Sequence, residues 1–563
     1  MQPKTFCSAP TTSVGNRLIR IFFAVTFLVS SFCHAQVQAG KQSANSDSEP
    51  SENKVTKADS NAALLQELEA MRMRIEQLEA QLKAQSSTKG DVATTDTAGQ
   101  LQAARQSMVA AGSAPVASPV TPTSATAVEA ATATPTTPAS PAKAAPFAFA
   151  DFTWLNGNPR TETAAFDSKF FTPEIRADID YTYDFHHPKD DTIGGSSEIF
   201  RANEVQITQL GVGGDFHYDH VRARFMTQYG MYSTTTPRND SSYSRGQWDL
   251  ADAYRYLSEA YGGYHWDAMH GINVDAGIFV SYVGLFSYYN FDNWAYQPSY
   301  VSSNTPWFFT GVRAQFFVSD KLKIEPWFVN GWQSYGRFNN RPGIGGQILW
   351  RPTGKISILG NQYALGEDAL GNPSRVRYHT DDSVQCKYLD RPEAKYISKA
   401  AFSLTGDAGC EHGGGVSCHG DSAKGPKQSF LGFMAYNRLW FDRNLFGLTI
   451  GGGKINNPGR YLVLLPPING ATATSGTPYF TENPGDKYKA WDASTTFDYM
   501  PSQYITWRLE YNHRVADVPY FSGPGGITPP DGNQGAPGSL VPGWTPDLRN
   551  SENRMTGAIL VKF

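Results

Sequence analysis

The stretch EIRADIDYTYDF, Glu174 to Phe185, alternates without a break. Ile175, Ala177, Ile179, Tyr181, Tyr183 and Phe185 are apolar or aromatic, and Glu174, Arg176, Asp178, Asp180, Thr182 and Asp184 are polar. Successive side chains of a strand point to opposite faces, so period two means one oily face and one wet face. The pattern recurs along the C-terminal part of the chain. Ile272, Val274, Ala276, Ile278, Val280 and Tyr282 oppose Asn273, Asp275 and Ser281, with Phe279 as an exception on the wet side. Val312, Ala314, Phe316 and Val318 oppose Arg313, Gln315 and Ser319. Trp491 to Tyr499 and Ile505 to Tyr511 repeat the alternation.

These amphipathic runs are joined alternately by short turns and long loops. Short joints fall at Asp219–His220, Ser319–Asp320 and Pro501–Ser502, and long ones around Pro237, from Asn290 to Thr305 and from Pro524 to Asn550. Such strands with such connections describe a transmembrane β-barrel. Lipid leaves no backbone group without a partner, so the sheet must close. A secreted β-sandwich or β-helix competes, because an oily face can also meet another sheet. The Tyr, Trp and Phe on the oily faces, the charges on the wet faces and the last strand, Arg554 to Phe563, favour the barrel. The expected fold is all-β: an antiparallel barrel of about 14–16 strands. The firmest strands begin near Glu174, Ala202, Val221, Ala253, Ile272, Trp307, Leu322, Gly343, Ile356, Phe430, Leu445, Tyr488, Gln503 and Arg554. Residues Val384 to Gln428 are hard to place, with Tyr396 to Leu404 as a further candidate.

Composition excludes other classes. With 48 basic and 52 acidic residues and a net charge of -4, the chain has no electrostatic basis for nucleic-acid binding. No apolar run approaches the ~20 residues of a spanning helix. Five cysteines in 563 residues are too few for a disulfide-built scaffold.

Ahead of the barrel, expected over residues 147–563, the chain changes character three times. Arg17 and Arg20 precede the apolar run Ile21 to Val29, and a small residue, Ala35, follows. This reads as a signal peptide over residues 1–35, in preference to a lipoprotein signal around Cys33 or a buried helix. A polar disordered segment spans 36–57. Over 58–85, Leu64, Leu68, Met71, Ile75, Leu78 and Leu82 recur at alternating spacings of four and three, the seam of a short coiled-coil helix. Three heptads are marginal alone, so the helix needs a partner. An oligomerising coiled coil competes with a helix packed on its own chain. Residues 86–146, rich in Ala, Thr, Ser and Pro, form a disordered linker that cannot bury enough apolar area to order itself.

The barrel sequence resembles the family described as putative β-barrel porin-2, OmpL-like. The resemblance rests on NTPWFFTGVR (Asn304–Arg313), VNGW (Val329–Trp332), GGQILW (Gly345–Trp350) and ILGNQY (Ile358–Tyr363), and covers most of the chain after about Phe170. It implies an outer-membrane barrel of porin type and carries over no catalytic residue.

For a channel, the working residues are charged side chains on the wet face, which set the field in the lumen. By alternation the pore-lining candidates are Arg176, Arg222, Arg224, Arg313, Lys323 and Arg508 among the bases. The acids are Asp178, Asp180, Asp275, Glu325, Asp492, Asp498 and Glu510. The plainer reading is that each merely solvates the lumen or pairs across strands. A lumen of both signs predicts weak ion selectivity. Cys410 and Cys418 flank a flexible Gly-rich stretch and form a candidate disulfide in an oxidising compartment, with Cys386 left over. A zinc site from Cys410, His412, Cys418 and His419 is the sharper alternative, set aside for its irregular spacing. His186 and His187 end a strand as a loop pair. Gly451 to Lys454 lacks the spacing of a phosphate loop, and no GxSxG or HExxH occurs. No catalytic residue, metal or cofactor is expected.

The function expected is passive diffusion of small hydrophilic solutes through a porin-like channel in the bacterial outer membrane. A structural tether or surface-interaction barrel without an open pore, and an outer-membrane lipid hydrolase, are the alternatives. The expected partners are outer-membrane lipid, those solutes and further copies of the chain held through the coiled coil in the periplasm. Nucleic acid is not among them.

Overall fold

The computed structural model describes residues 72–73 and 145–563, except 162–163, 192, 194–198, 200, 238–239, 241–247, 338, 367–373, 458–487 and 526–546. The chain divides into two units, 1–132 and 133–563. Of the first, only Arg72 and Met73 are described; both are helical and exposed. The signal peptide, the polar segment, the rest of the coiled coil and the linker up to residue 144 lie outside the described residues.

The second unit is a single sheet of sixteen strands closed on itself. They are β1 Phe171–Asp184, β2 Val205–Tyr218, β3 Val221–Thr227, β4 Leu257–Trp266, β5 Ile272–Val280, β6 Phe308–Ser319, β7 Leu322–Val329 and β8 Gly343–Thr353. The ring continues with β9 Ile356–Gly366, β10 Val376–Asp390, β11 Ile397–His412, β12 Ser429–Phe441, β13 Phe446–Asn457, β14 Tyr488–Ser502, β15 Ile505–Ala516 and β16 Ser551–Lys562. Each strand pairs antiparallel with its sequence neighbours, and β1 pairs with β16, Ile179 opposite Ile559. Phe563 completes the seam, donating its N–H to the Ile175 carbonyl at 2.9 Å. The region hard to place, Val384 to Gln428, holds the second half of β10, which begins earlier at Val376, and all of β11, with which the candidate Tyr396 to Leu404 overlaps. The joint expected at Pro501–Ser502 falls two residues later, because β14 runs through Ser502.

The oily faces point out. Ile175, Tyr181, Phe225, Ile348, Phe497, Trp507 and Leu509 are exposed, whereas the alternate positions are buried inside the ring. A soluble sheet would show the reverse, so the solvent of this outer face is hydrocarbon. Short connections such as 219–220, 320–321, 354–355 and 503–504 share one end with the start of β1. In the first, Asp219 and His220 both take positive φ, the twist that a two-residue hairpin turn demands. Long connections share the other end. Among the described residues no helix is long and apolar enough to cross a membrane; the strands do that here.

Candidate functional site: the barrel lumen

The interior is built by the connection between β5 and β6, residues 281–307, which folds into the barrel and crosses to the far wall. Its aromatic content explains why. Trp294, Ala295, Tyr300 and Val301 are buried in one cluster with Phe430, Met434, Tyr436 and Trp440 of β12, Ile455 of β13 and Tyr488 of β14. At its root, Tyr282 and Val283 pack with Phe279, Phe309, Trp327, Trp332 and Tyr363. Phe279, the exception on the wet face, points inward because its partners are loop and lumen aromatics. The run Gly451 to Lys454 is strand. A side-chain carbon on Gly453 would come within 2.4 Å of Ser299 Oγ, and one on Gly451 within 2.1 Å of the Tyr436 ring. Those glycines leave the recess in which the helical turn Tyr300–Ser303 sits.

The thirteen pore-lining candidates all fall on inward positions, but they separate into two groups. Seven grip the crossing loop or support its grip. Asp178 accepts from Asn290 Nδ2 and from the Tyr296 hydroxyl, both at 2.9 Å. Asp180 accepts from Thr208 Oγ1 at 2.5 Å beneath that contact. Asp492 accepts from Ser299 Oγ at 2.8 Å and from the Tyr300 N–H at 2.9 Å. Glu510 accepts from the backbone N–H groups of Tyr296 and Gln297 at 2.6 and 2.8 Å. Arg508 donates to the carbonyls of Asn290 and Asn293 at 3.1 and 2.7 Å and pairs with Asp498. Arg176 reaches Asp292 at 2.8 Å, also pairs with Glu174, and lies 4.0 Å above the Tyr289 ring. These side chains satisfy the polar backbone of an enclosed loop, which would otherwise be left without partners.

The other six stand on the wall from β3 to β7. Arg222 and Arg313 share Asp275 at 3.2 and 3.0 Å. Lys323 pairs closely with Glu325, and Arg313 approaches the same acid at 3.9 Å. Arg224 reaches Glu174, Asp215 and Glu259 at 3.0, 2.8 and 2.9 Å. The guanidinium of Arg313 is stacked among Tyr261, Phe279 and Trp327. Two of the acids, Asp275 and Glu325, lie beneath their bases: the Arg222 side chain is 30% exposed and that of Asp275 0%, whereas Asp215 is 51% exposed beside Arg224.

Several parts of the interior were not foreseen, among them the buried pairs Arg377–Glu411 at 2.6 Å and Arg554–Glu552 at 2.5 Å. Arg438 on β12 donates to the Trp294 carbonyl at 3.1 Å and the Gly157 carbonyl at 2.8 Å, and pairs with Asp498 at 2.7 Å. Its strand is apolar on both faces, so alternation could not mark it as inward. The segment 145–161 crosses the short-turn mouth. Phe147 N–H donates to Asp320 O at 2.8 Å, and Trp154 Nε1 to Gly354 O at 3.2 Å. Gly157 N–H reaches Asp292 O at 2.9 Å, and Asn158 Nδ2 reaches Ser502 O at 3.0 Å. A side chain at Gly157 would strike the Asn293 and Phe291 carbonyls, so a glycine lets the strap touch the loop tip. Asp292, at that junction, also meets Lys562 at 3.4 Å. Burial alone would raise its carboxyl, but Arg176 and Lys562 outweigh burial and hold it below the ordinary aspartate range.

Outside the lumen, Cys410 and Cys418 are disulfide-bonded with Cα atoms 5.1 Å apart, and Cys386 is a free thiol facing outward on β10. Both sulfurs of the alternative zinc set are thereby consumed, and no metal-ligating cluster occurs among the described residues. His186 Nδ1 faces the Ser522 carbonyl and His187 Nε2 the Tyr183 hydroxyl.

A closed ring with a polar inside, a greasy outside and an inward loop has known relatives in sequence. The model of the family described as putative β-barrel porin-2, OmpL-like, matches residues 176–537. The chain belongs to that family. Membership makes it a porin-like β-barrel of the bacterial outer membrane, and points to a channel rather than an enzyme. Among solved structures, it is similar to the outer-membrane expressed OmpT of Vibrio cholerae: 9% identity, covering 71% of this chain and 99% of that one, TM-score 0.40. The outer membrane channel DcaP of Acinetobacter baumannii is 13% identical over 71% of this chain and 100% of that one, TM-score 0.41. An anion-selective porin from Comamonas acidovorans is 9% identical over 70% and 99%, TM-score 0.39. No curated protein matches the chain. The family assignment rests on the sequence match and not on these resemblances.

Proposed function

We propose that this porin-family barrel passes small hydrophilic solutes by passive diffusion, with a bore narrowed by the crossing loop 281–307. One observation carries the reading: the ring encloses a continuous charged face while presenting an apolar face outward. A protein with that outer surface needs lipid around it, and a charged inner wall serves water and polar solutes. The loop is held chiefly by β12 to β16 and β1, and it also reaches β4 through the Tyr289 hydroxyl, which donates to Glu259 at 2.7 Å. The solute path therefore runs past Arg222, Arg224, Arg313 and Lys323 on the opposite wall. Purified protein in planar bilayers should give discrete conductance steps, reduced against a loop-deleted variant lacking residues 286–303. Protein that shows a heat-modifiable barrel band yet gives no steps, even with the loop deleted, would end the channel reading.

A tethering role stands beside conduction, favoured by the strap 145–161. Its hydrogen bonds to Gly354, Ser502 and Arg438 fix the end of the linker against the short-turn mouth. In this reading the signal peptide, residues 1–35, is removed on export. The coiled coil, residues 58–85, lies in the periplasm at the end of the linker and joins copies of the chain. Deleting Leu64 to Leu82 should leave conductance unchanged and abolish a cross-linked oligomer; loss of conductance would overturn the division of labour.

A further inference from the structure

The strap 145–161 is held in two different ways along its length. Its last residues are enclosed and polar. Asn158 is fully buried against Ser502 and Thr506, and Arg438 ties the Gly157 carbonyl to the loop carbonyl of Trp294. Its first residues are aromatic and clasp cations at the foot of β6 to β8. Phe147 packs on Phe317, which faces inward opposite Lys323, with ring centroids 6.3 Å apart. The Arg351 guanidinium lies 5.0 Å from the Phe147 ring and 4.6 Å from the Phe152 ring, and Lys321 Nζ lies 4.9 Å from the Phe149 ring. Among the described residues no acid pairs with Arg351 or Lys321, and Arg351 Nε is buried without a hydrogen-bond partner. Phe149 is 38% exposed, whereas Trp154 and Asn158 are 0%. The tight turn Thr153–Leu155 divides the two halves.

We propose that residues 145–152 are a closure on the short-turn mouth, which lifts while residues 156–161 stay pinned. Phe317 and Lys323 stand at the foot of the wall that borders the solute path, so the clasp over them narrows the exit of that path. In this respect the inference rests on the channel reading. A cation over a ring at the edge of water is held weakly, because water can take the place of the ring around the charge. Arg351 and Lys321 have no acid to lose when the rings leave, and lifting returns both to solvent. Lifting also releases the Phe147 N–H from Asp320 O and Asp151 from Lys399, groups that then face the opened mouth and its water. The pinned half has no such exchange open to it. Freeing Gly157 would strand Arg438 inside, where polar groups need their partners. A pull on the chain from before Ala145 therefore peels the aromatic half first and stops at the turn. The lifted strap bares two unpaired cations at the mouth, so the open state prefers anions more strongly than the closed one.

The test staples the closure. A side-chain carbon added at Gly354 would lie 2.7 Å from the Ala150 Cβ, near enough for a disulfide after a small shift. The full chain with Ala150→Cys and Gly354→Cys in a Cys386→Ser background is placed in planar bilayers, and Cys386→Ser alone is the control for the reductant. The expected result is a disulfide between the two positions on mild oxidation, small steps while it holds, and large steps at least tenfold more frequent on reduction. Adding Phe147→Ala and Phe152→Ala should cut the disulfide at least tenfold, make the large steps prevail and shift the reversal potential toward chloride. Arg351→Gln on top of these should cancel that shift. A heat-modifiable band verifies that each variant folds. Steps of one size and one selectivity, whether stapled, reduced or without the two rings, overturn the closure and leave the channel standing. An absence of steps in every variant, the loop-deleted one included, ends the channel reading, and the closure falls with it.

Discussion

Asp498 accepts from Arg438 and from Arg508, each at 2.7 Å, and the two guanidiniums hold carbonyls of the crossing loop and of the strap. All three side chains are fully buried. Removing the acid strands two charges where no water reaches them, and breaking such a buried pair typically costs about 3–5 kcal/mol. Asp498→Ala should therefore lower the temperature at which the folded band is lost on mild gels, by far more than Arg222→Ala on the half-exposed wall. Equal losses would mean that Asp498 does not anchor the interior. Asp292 supplies a pH dependence of known sign. Its carboxyl is held below the ordinary value by Arg176 and Lys562, with Glu174 as the neighbouring acid. A depressed pKa stabilises above the unfolded value, near 4, and that stabilisation fades as pH falls through the folded one. The Asp292 contribution should be lost below about pH 4, where conductance should become noisier. Asp292→Asn should show the noisy behaviour already at pH 7.

Among elements, the crossing loop depends on absences in β13. Gly451 and Gly453 make room for Tyr436 and Ser299, and a branched side chain at either position overlaps them. Overpacking of a filled site costs typically ~1–3 kcal/mol. The barrel ladder does not need the loop, so the strain is relieved by expelling it. Gly453→Val should raise single-channel conductance while the heat-modifiable band persists; an unchanged conductance would show that the loop does not limit the bore. Strands were legible wherever one face was polar and the other apolar, as in β1, β5, β14 and β15. They were illegible where that contrast failed. From Arg377 to Ser383, β10 is polar on both faces, since Thr380 and Asp382 point outward, and no period survives. β12 was placed, from near Phe430, but its two faces could not be told apart, since Phe430, Met434 and Trp440 point inward and Leu431, Phe433 and Leu439 outward. The strap has no period at all, and its partners are carbonyls such as Ser502 O, far away in sequence. Wet-face positions were readable one by one, but whether they faced water or a folded-in loop depends on contacts between distant segments.

At the scale of the molecule, those two populations of charge decide what a passing ion meets. The acids and bases that hold the loop are neutralised and enclosed, so they contribute little field to the path. On the wall from β3 to β7 the charges nearly balance, but not in their exposure. The Arg222, Arg313 and Lys323 side chains are partly exposed, and Asp275 and Glu325 lie almost wholly beneath them. Around those two acids a solute meets cations first, whereas Asp215, 51% exposed beside an Arg224 side chain at 10%, stands open to it. The result should be weak selectivity, as a mixed-sign lumen implies, with a slight preference for anions. Because the field comes from surface charge, it should act over a Debye length of about 10 Å at 0.1 M salt and fade towards about 3 Å at 1 M. Reversal potentials in a potassium chloride gradient should thus favour chloride by about twofold or less near 0.1 M and approach neutrality near 1 M. Arg222→Glu places an acid at the most exposed of these positions and leaves Asp275 paired with Arg313 at 3.0 Å. The sign should then reverse toward potassium at 0.1 M without change in the folded band. A variant that keeps the wild-type reversal potential would place the solute path elsewhere than along β3 to β7.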